Sequence, residues 1–101
     1  MSTHPAIDLN KAFESRVRLG IMSLLMVEYS VDFNSMKEML DITDGNLASH
    51  AAALEKLEYI LITKSFVGKK PHTAYSATPL GKIEFRKHID ALEKLIRQQS
   101  K

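Results

Sequence analysis

Between residues 60 and 77 the helical spacing of apolar residues that organises the rest of this chain breaks off. Residues 60–66 are rich in β-branched and aromatic side chains, and residues 73–77 form a second such run. Residues 67–72, from Val67 and Gly68 to Pro71 and His72, carry the Gly and Pro of a turn. Together they predict a β-hairpin with a basic tip. Helical patterns on both sides of a single hairpin point to a mainly α protein with one small β element.

Upstream, Leu9, Phe13, Val17, residues 19–22 and residues 24–26 recur at helical spacing and predict one helix of roughly 15–20 residues, alone or preceded by a short turn, and entered from a frayed tail over residues 1–5. Gly20 inside it is read as a point where another backbone comes close. Residues 29–33 are a candidate for a brief strand. Asn34 or Ser35 is then placed to cap a second helix over 36–40, with Met36, Met39 and Leu40 on its apolar face. Residues 41–44 form a turn, in which Thr43 caps a third helix over 44–59. Leu47, Ala51, Leu54 and Leu57 give that helix a core stripe, opposite Asn46, Ser49, His50, Ala53 and Lys56. Thr78 as N-cap and Pro79 at the first helical position open the last helix. Along it Phe85, Ile89, Leu92 and Ile96 form a seam of coiled-coil type.

Length and composition bound what such a chain can do. With 101 residues, 45% apolar and 26% charged, residues 1–101 read as one globular domain. Core and hairpin occupy 7–77, and the C-terminal helix 78–98. The absence of Cys excludes a disulfide scaffold, a thiolate zinc site, an iron–sulfur cluster and a cysteine nucleophile, and fits the reducing cytoplasm expected as its location. No apolar run is long enough to predict a membrane span. His4, His50, His72 and His88 lack short-range ligand spacing, so no metal site is expected. There is no Gly-rich phosphate loop, paired-carboxylate arrangement or Ser nucleophile motif, so neither an enzyme nor a cofactor is expected.

The net charge is only +2, but its distribution is uneven. Between Glu58 and Glu84 there is no acidic residue, while Lys64, Lys69, Lys70 and Lys82 lie there with His72 among them. Such a segment suits a polyanion; a solvated lysine-rich loop is the bland alternative. The second and third helices with their tight turn form a helix-turn-helix candidate. A helix start with short polar side chains can approach base edges in a major groove. Asp44, Gly45, Asn46, Ser49 and His50 meet that requirement, with Thr43 ahead of them and Lys56 behind. Lys64, Lys69, Lys70, His72 and Thr73 of the hairpin would add backbone contacts.

Residues 43–50 (Thr-Asp-Gly-Asn-Leu-Ala-Ser-His), 54–57 (Leu-Glu-Lys-Leu), 68–73 (Gly-Lys-Lys-Pro-His-Thr) and 78–81 (Thr-Pro-Leu-Gly), in this order, resemble the winged helix-turn-helix transcriptional regulators related to the MarR and ArsR groups. Residues 16–25 also resemble their opening helix. The resemblance spans roughly residues 7–97. It implies a three-helix core with a recognition helix at about 44–58, a wing at about 60–77, sequence-specific binding of double-stranded DNA, and dimerisation through terminal helices. The seam of Phe85, Ile89, Leu92 and Ile96 is the expected homodimer interface, with packing on the domain's own first helix as the alternative. A winged-helix module that binds protein instead of DNA is the alternative; it would show an apolar patch where this chain's sequence is polar and basic.

Overall fold

The computed structural model describes residues 4–99. Two 3-10 turns, Pro5–Asp8 and Lys11–Phe13, precede helix α1 (Arg16–Val27), strand β1 (Val31–Asp32), helices α2 (Phe33–Leu40) and α3 (Asp44–Lys56), strands β2 (Ile60–Val67) and β3 (Lys70–Ala77), and helix α4 (Pro79–Gln99). The three strands form one antiparallel sheet in the order β1-β3-β2. This is the mainly α fold with a hairpin wing that the sequence predicts.

Residues from nearly every element meet in one core. Phe13, Ile21, Met22, Leu25, Met36, Leu47, Leu54 and Ile60 are almost completely removed from solvent. Burial of each such side chain is worth roughly 1.5–3 kcal/mol before chain entropy is charged against it. The α3 stripe is Leu47, Ala51 and Leu54 as expected, but Leu57 is 44% exposed. Residue 57 is already the C-cap, where the chain turns towards β2 and the helical register no longer aims its side chain inward.

The N-terminal region departs furthest from the expectation. The helix is shorter than expected, a 12-residue α1, and two 3-10 turns precede it instead of one turn at most. The breaks have local causes. His4, Asn10 and Ser15 each turn a side-chain acceptor onto a backbone N–H two or three residues ahead and start a new turn. Nor is Pro5 part of a frayed tail: it is buried, and the first turn packs against α4. Phe13 meets the edge of Phe85 at 5.1 Å between ring centres, and His88 at 5.4 Å. His88 Nδ1 accepts the backbone N–H of Asn10 at 2.9 Å, and the Asn10 side-chain amide donates to the Tyr59 hydroxyl at 3.0 Å. Phe85 is therefore core of its own domain, 4% exposed, so at this position the seam follows the intradomain alternative. Gly20 faces the Leu40 side chain, not another backbone.

Two joints set where the wing points. Asp32, not Asn34 or Ser35, caps α2, its carboxylate accepting from the Ser35 N–H and hydroxyl. The second joint lies where α3 gives way to β2. Glu58 adopts a left-handed φ of 64° there. The Thr78 hydroxyl donates to the Glu58 carbonyl at 2.7 Å, and the Thr78 N–H to the Tyr59 carbonyl at 3.0 Å. The same hydroxyl accepts from the Gly81 N–H, completing the expected N-cap. A Cβ at Gly81 would sit 2.0 Å from the Tyr59 carbonyl oxygen, so only glycine lets α4 start this close to the corner. Helix α3, the wing and α4 thus share one hydrogen-bonded junction.

Candidate nucleic-acid interface

The start of α3 is built for exposure. The Thr43 hydroxyl accepts the Asn46 N–H at 3.1 Å, leaving neighbouring N–H groups of the first turn free to face a ligand. Asp41, in the left-handed region at φ 52°, ends α2 and allows the tight turn between the two helices. Asp44 would set a negative charge against any polyanion, but Lys37 of α2 holds its carboxylate at 2.8 Å. That pair is largely exposed and worth little to stability; its consequence is local charge balance. Gly45 has nothing within 4 Å of where a Cβ would lie, so the helix start is open.

Asn46 and Ser49 are exposed on α3, as are Asp44 and Lys56. His50 is not among them. It is half-buried against α1, where its Nδ1 accepts from Arg18 Nε at 3.0 Å. Burial and the neighbouring Arg18 charge both lower its pKa below the usual histidine value. His50 therefore bridges α1 and α3 through its Nδ1, half-buried beside the exposed Asn46 and Ser49. Sequence reasoning misses Ala48 and Ala52, which share the exposed side of α3. A signal for them exists: two alanines four residues apart on an otherwise polar face lower the helix surface and let a neighbour approach.

The hairpin stands beside that lowered surface. A cleft of about 550 Å³ separates the two, lined by Ala48, Ala52 and Glu55 of α3 and by Ile62, Lys64 and Thr73 of the wing. The two strands pair from Ile60 with Ala77 out to Val67 with Lys70, leaving only Gly68 and Lys69 in the turn. The tip is therefore tighter than the predicted loop over 67–72, and Lys70 and His72 belong to β3. Gly68 supplies the φ of +65° that this two-residue turn requires. Paired residues share a face and faces alternate, so Lys64 and Thr73 lie on the side of the cleft while Lys70 and His72 lie on the other. Lys69 sits at the apex. The expected basic residues thus flank both faces of one ribbon and do not form a single patch. His72 lies near Asp32, whose pKa is lowered chiefly by its bond to the Ser35 hydroxyl.

The wing also carries large apolar side chains that sequence reasoning does not single out. Phe66 is 73% exposed and Val67 65% exposed, directly before the turn. The α4 surface is likewise mixed. Ile83, Ile89 and Ile96 are exposed and Leu92 is half-buried. Shallow clefts run between α4 and the end of α1, where Met26 meets Ile83, Arg86 and Ile89. Among the described residues no helix is long and apolar enough to cross a membrane, and no three His, Cys, Asp or Glu side chains stand close enough to hold a metal ion.

The sequence profile of the winged helix DNA-binding domain family matches residues 17–96. A protein of Methanocaldococcus jannaschii is 35% identical over 79 residues, which cover 78% of this chain and 86% of that one. Among solved structures, the transcriptional regulator homologue protein from Pyrococcus horikoshii OT3 superposes with a TM-score of 0.81 at 30% identity, covering 87% of each chain. The zinc-responsive MarR family member ZitR of Lactococcus lactis shares the fold, with a TM-score of 0.62 at 17% identity over 85% of this chain and 58% of its own.

Proposed function

The chain belongs to the winged helix DNA-binding domain family, and from that premise we propose that it binds a specific site on double-stranded DNA as a homodimer and regulates transcription. The observation that carries this reading is the α3 start: a capped, open helix end bearing Asn46 and Ser49, with the one acidic side chain of its first turn neutralised by Lys37. Inserted in a major groove, Asn46 and Ser49 would meet base edges, while Thr43 and the free N–H groups of the first turn would meet phosphates. Lys56, Lys64, Lys69, Lys70 and Thr73 would touch the flanking backbone. The regulator homologue of Pyrococcus horikoshii, similar along 87% of its length, supports the regulatory part of the reading.

For the dimer, Phe85 is committed to the core, so the interface falls to the exposed apolar residues of α4, Ile83, Ile89 and Ile96, with the half-buried Leu92 and with Met26 of α1 beside Ile83 and Ile89. Two-fold pairing there would bury apolar surface that monomers rarely leave open, and would space two copies of α3 for half-sites about one turn of duplex apart. Selection of duplexes from a random pool, followed by gel-shift titration, tests the proposal. A recovered pseudo-palindrome bound at least about a thousandfold tighter than random DNA is expected. Equal affinity for all duplexes would remove sequence reading. In sedimentation, a monomer at tens of micromolar would remove the dimer.

A further inference from the structure

Phe66 is a large aromatic side chain near the end of a fully paired, lysine-bearing ribbon, and it stands open to solvent. It is 73% exposed, and among the described residues it stacks on no other ring. Its cross-strand partner is Pro71, and both lie on the face of the hairpin that also carries Lys64 and Thr73, the face bordering the cleft beside α3. Lys69 and Lys70 follow within four residues, and no acidic residue occurs between Glu58 and Glu84. The pairing runs without interruption to Val67 and Lys70, so placing Phe66 against a partner costs little further conformational freedom.

We infer that Phe66 is an apolar wedge that enters the minor groove next to the site read by α3 and partly unstacks one base step. The inference rests on the DNA-binding reading above and adds to it a residue that acts through shape and stacking, not through charge. The occupant follows from the charges. An apolar protein surface would gain nothing from Lys64 on the same face or Lys69 at the turn, whereas a duplex offers both phosphates for these two lysines and a stacked, flat interior for the ring. Side chains of this kind inserted between base steps bend DNA and let it wrap more of the protein in return. Selectivity would follow without a hydrogen bond to any base, because pyrimidine–purine steps open most easily.

The test uses the full chain and a duplex selected as above, with 2-aminopurine substituted in turn at each position flanking the α3 half-site. Wild-type protein should raise the fluorescence at one step per half-site. Phe66→Ala should abolish that rise and weaken binding about ten- to a hundredfold, the range typical of removing one base–aromatic stack. Its salt dependence should not change, since the substitution removes no charge, and Phe66→Leu should keep part of the signal. Thermal melting of Phe66→Ala should match wild type, because the side chain is exposed. A complex in which every position stays dark, or a Phe66→Ala protein with wild-type affinity and signal, overturns the wedge and leaves DNA binding standing. Failure to bind any duplex overturns both. Binding to anionic lipid vesicles that depends on Phe66, with none to the minor groove, would assign the side chain to a membrane surface and also overturn the wedge.

Discussion

Helix α3 and the outer half of the hairpin both face solvent, yet they are held there by different means. The exposed side of α3 is the back of a buried stripe: Leu47, Ala51 and Leu54 are sealed in the core, and caps, an ion pair and the Arg18–His50 bond fix the rest. Beyond Ile62 and Tyr75 the hairpin has no core beneath it, and its order comes from strand pairing and one glycine. A surface backed by a core can position atoms closely and carries small, polar side chains. One that projects into solvent can only reach, and carries charge and apolar bulk. The proposed division follows from this: α3 reads base edges, and the wing supplies affinity and, through Phe66, senses how easily the duplex deforms.

Truncating each region's most characteristic apolar residue should show the largest contrast. Leu54→Ala removes a fully buried side chain and should cost about 2–5 kcal/mol of unfolding free energy in denaturant titration. Phe66→Ala should change that free energy by less than about 0.5 kcal/mol. Equal effects would mean that the hairpin tip is part of the folded core. Next in size come the reading residues. Asn46→Ala or Ser49→Ala should cost about 1–3 kcal/mol on the selected site and little on random DNA. Equal losses on both would turn α3 into a positioning element like the wing. Thr43→Ala should cost about 1 kcal/mol of stability by removing the cap, leaving the wing unaffected.

The smallest effect is one of pH, away from both surfaces. Burial lowers the pKa of His88 below its ordinary 6.5, partly opposed by Glu14, and its Nδ1 must stay unprotonated to accept the Asn10 N–H. The unfolded chain therefore binds the proton more readily than the folded one. Stability should be fully present above pH 6.5 and decline as the pH falls through the lowered folded value. His88→Gln should flatten most of that decline, the remainder belonging to His50, whose pKa is lowered too. Stability independent of pH in that range would contradict the buried neutral imidazole.

Much of this is legible in the sequence because it is local. Thr43 and Thr78 cap helices through bonds to residues three positions ahead, the hairpin announces itself by Gly68 and by β-branched runs, and the α3 stripe follows helical spacing. What escapes depends on distant partners. Arg18 and His50 are 32 residues apart, and their bond decides that His50 faces α1. The spacing of Phe85, Ile89 and Leu92 is the same whether a side chain meets its own domain or another copy, and Phe13 draws Phe85 inward. Asn10 and Ser15 could each cap a new turn inside what periodicity presents as one helix; the choice rests on Phe13 and His88 packing together.

The division between a helix that reads and a wing that binds is tested most directly by salt. The logarithm of affinity for the selected duplex, plotted against the logarithm of salt concentration, should give a negative slope for wild type. Lys69→Ala/Lys70→Ala should make it shallower by roughly 0.9 for each phosphate no longer neutralised, while the ratio of specific to random affinity is retained. A double variant with the wild-type slope, or one that gives up its preference for the site while keeping that slope, would contradict the account.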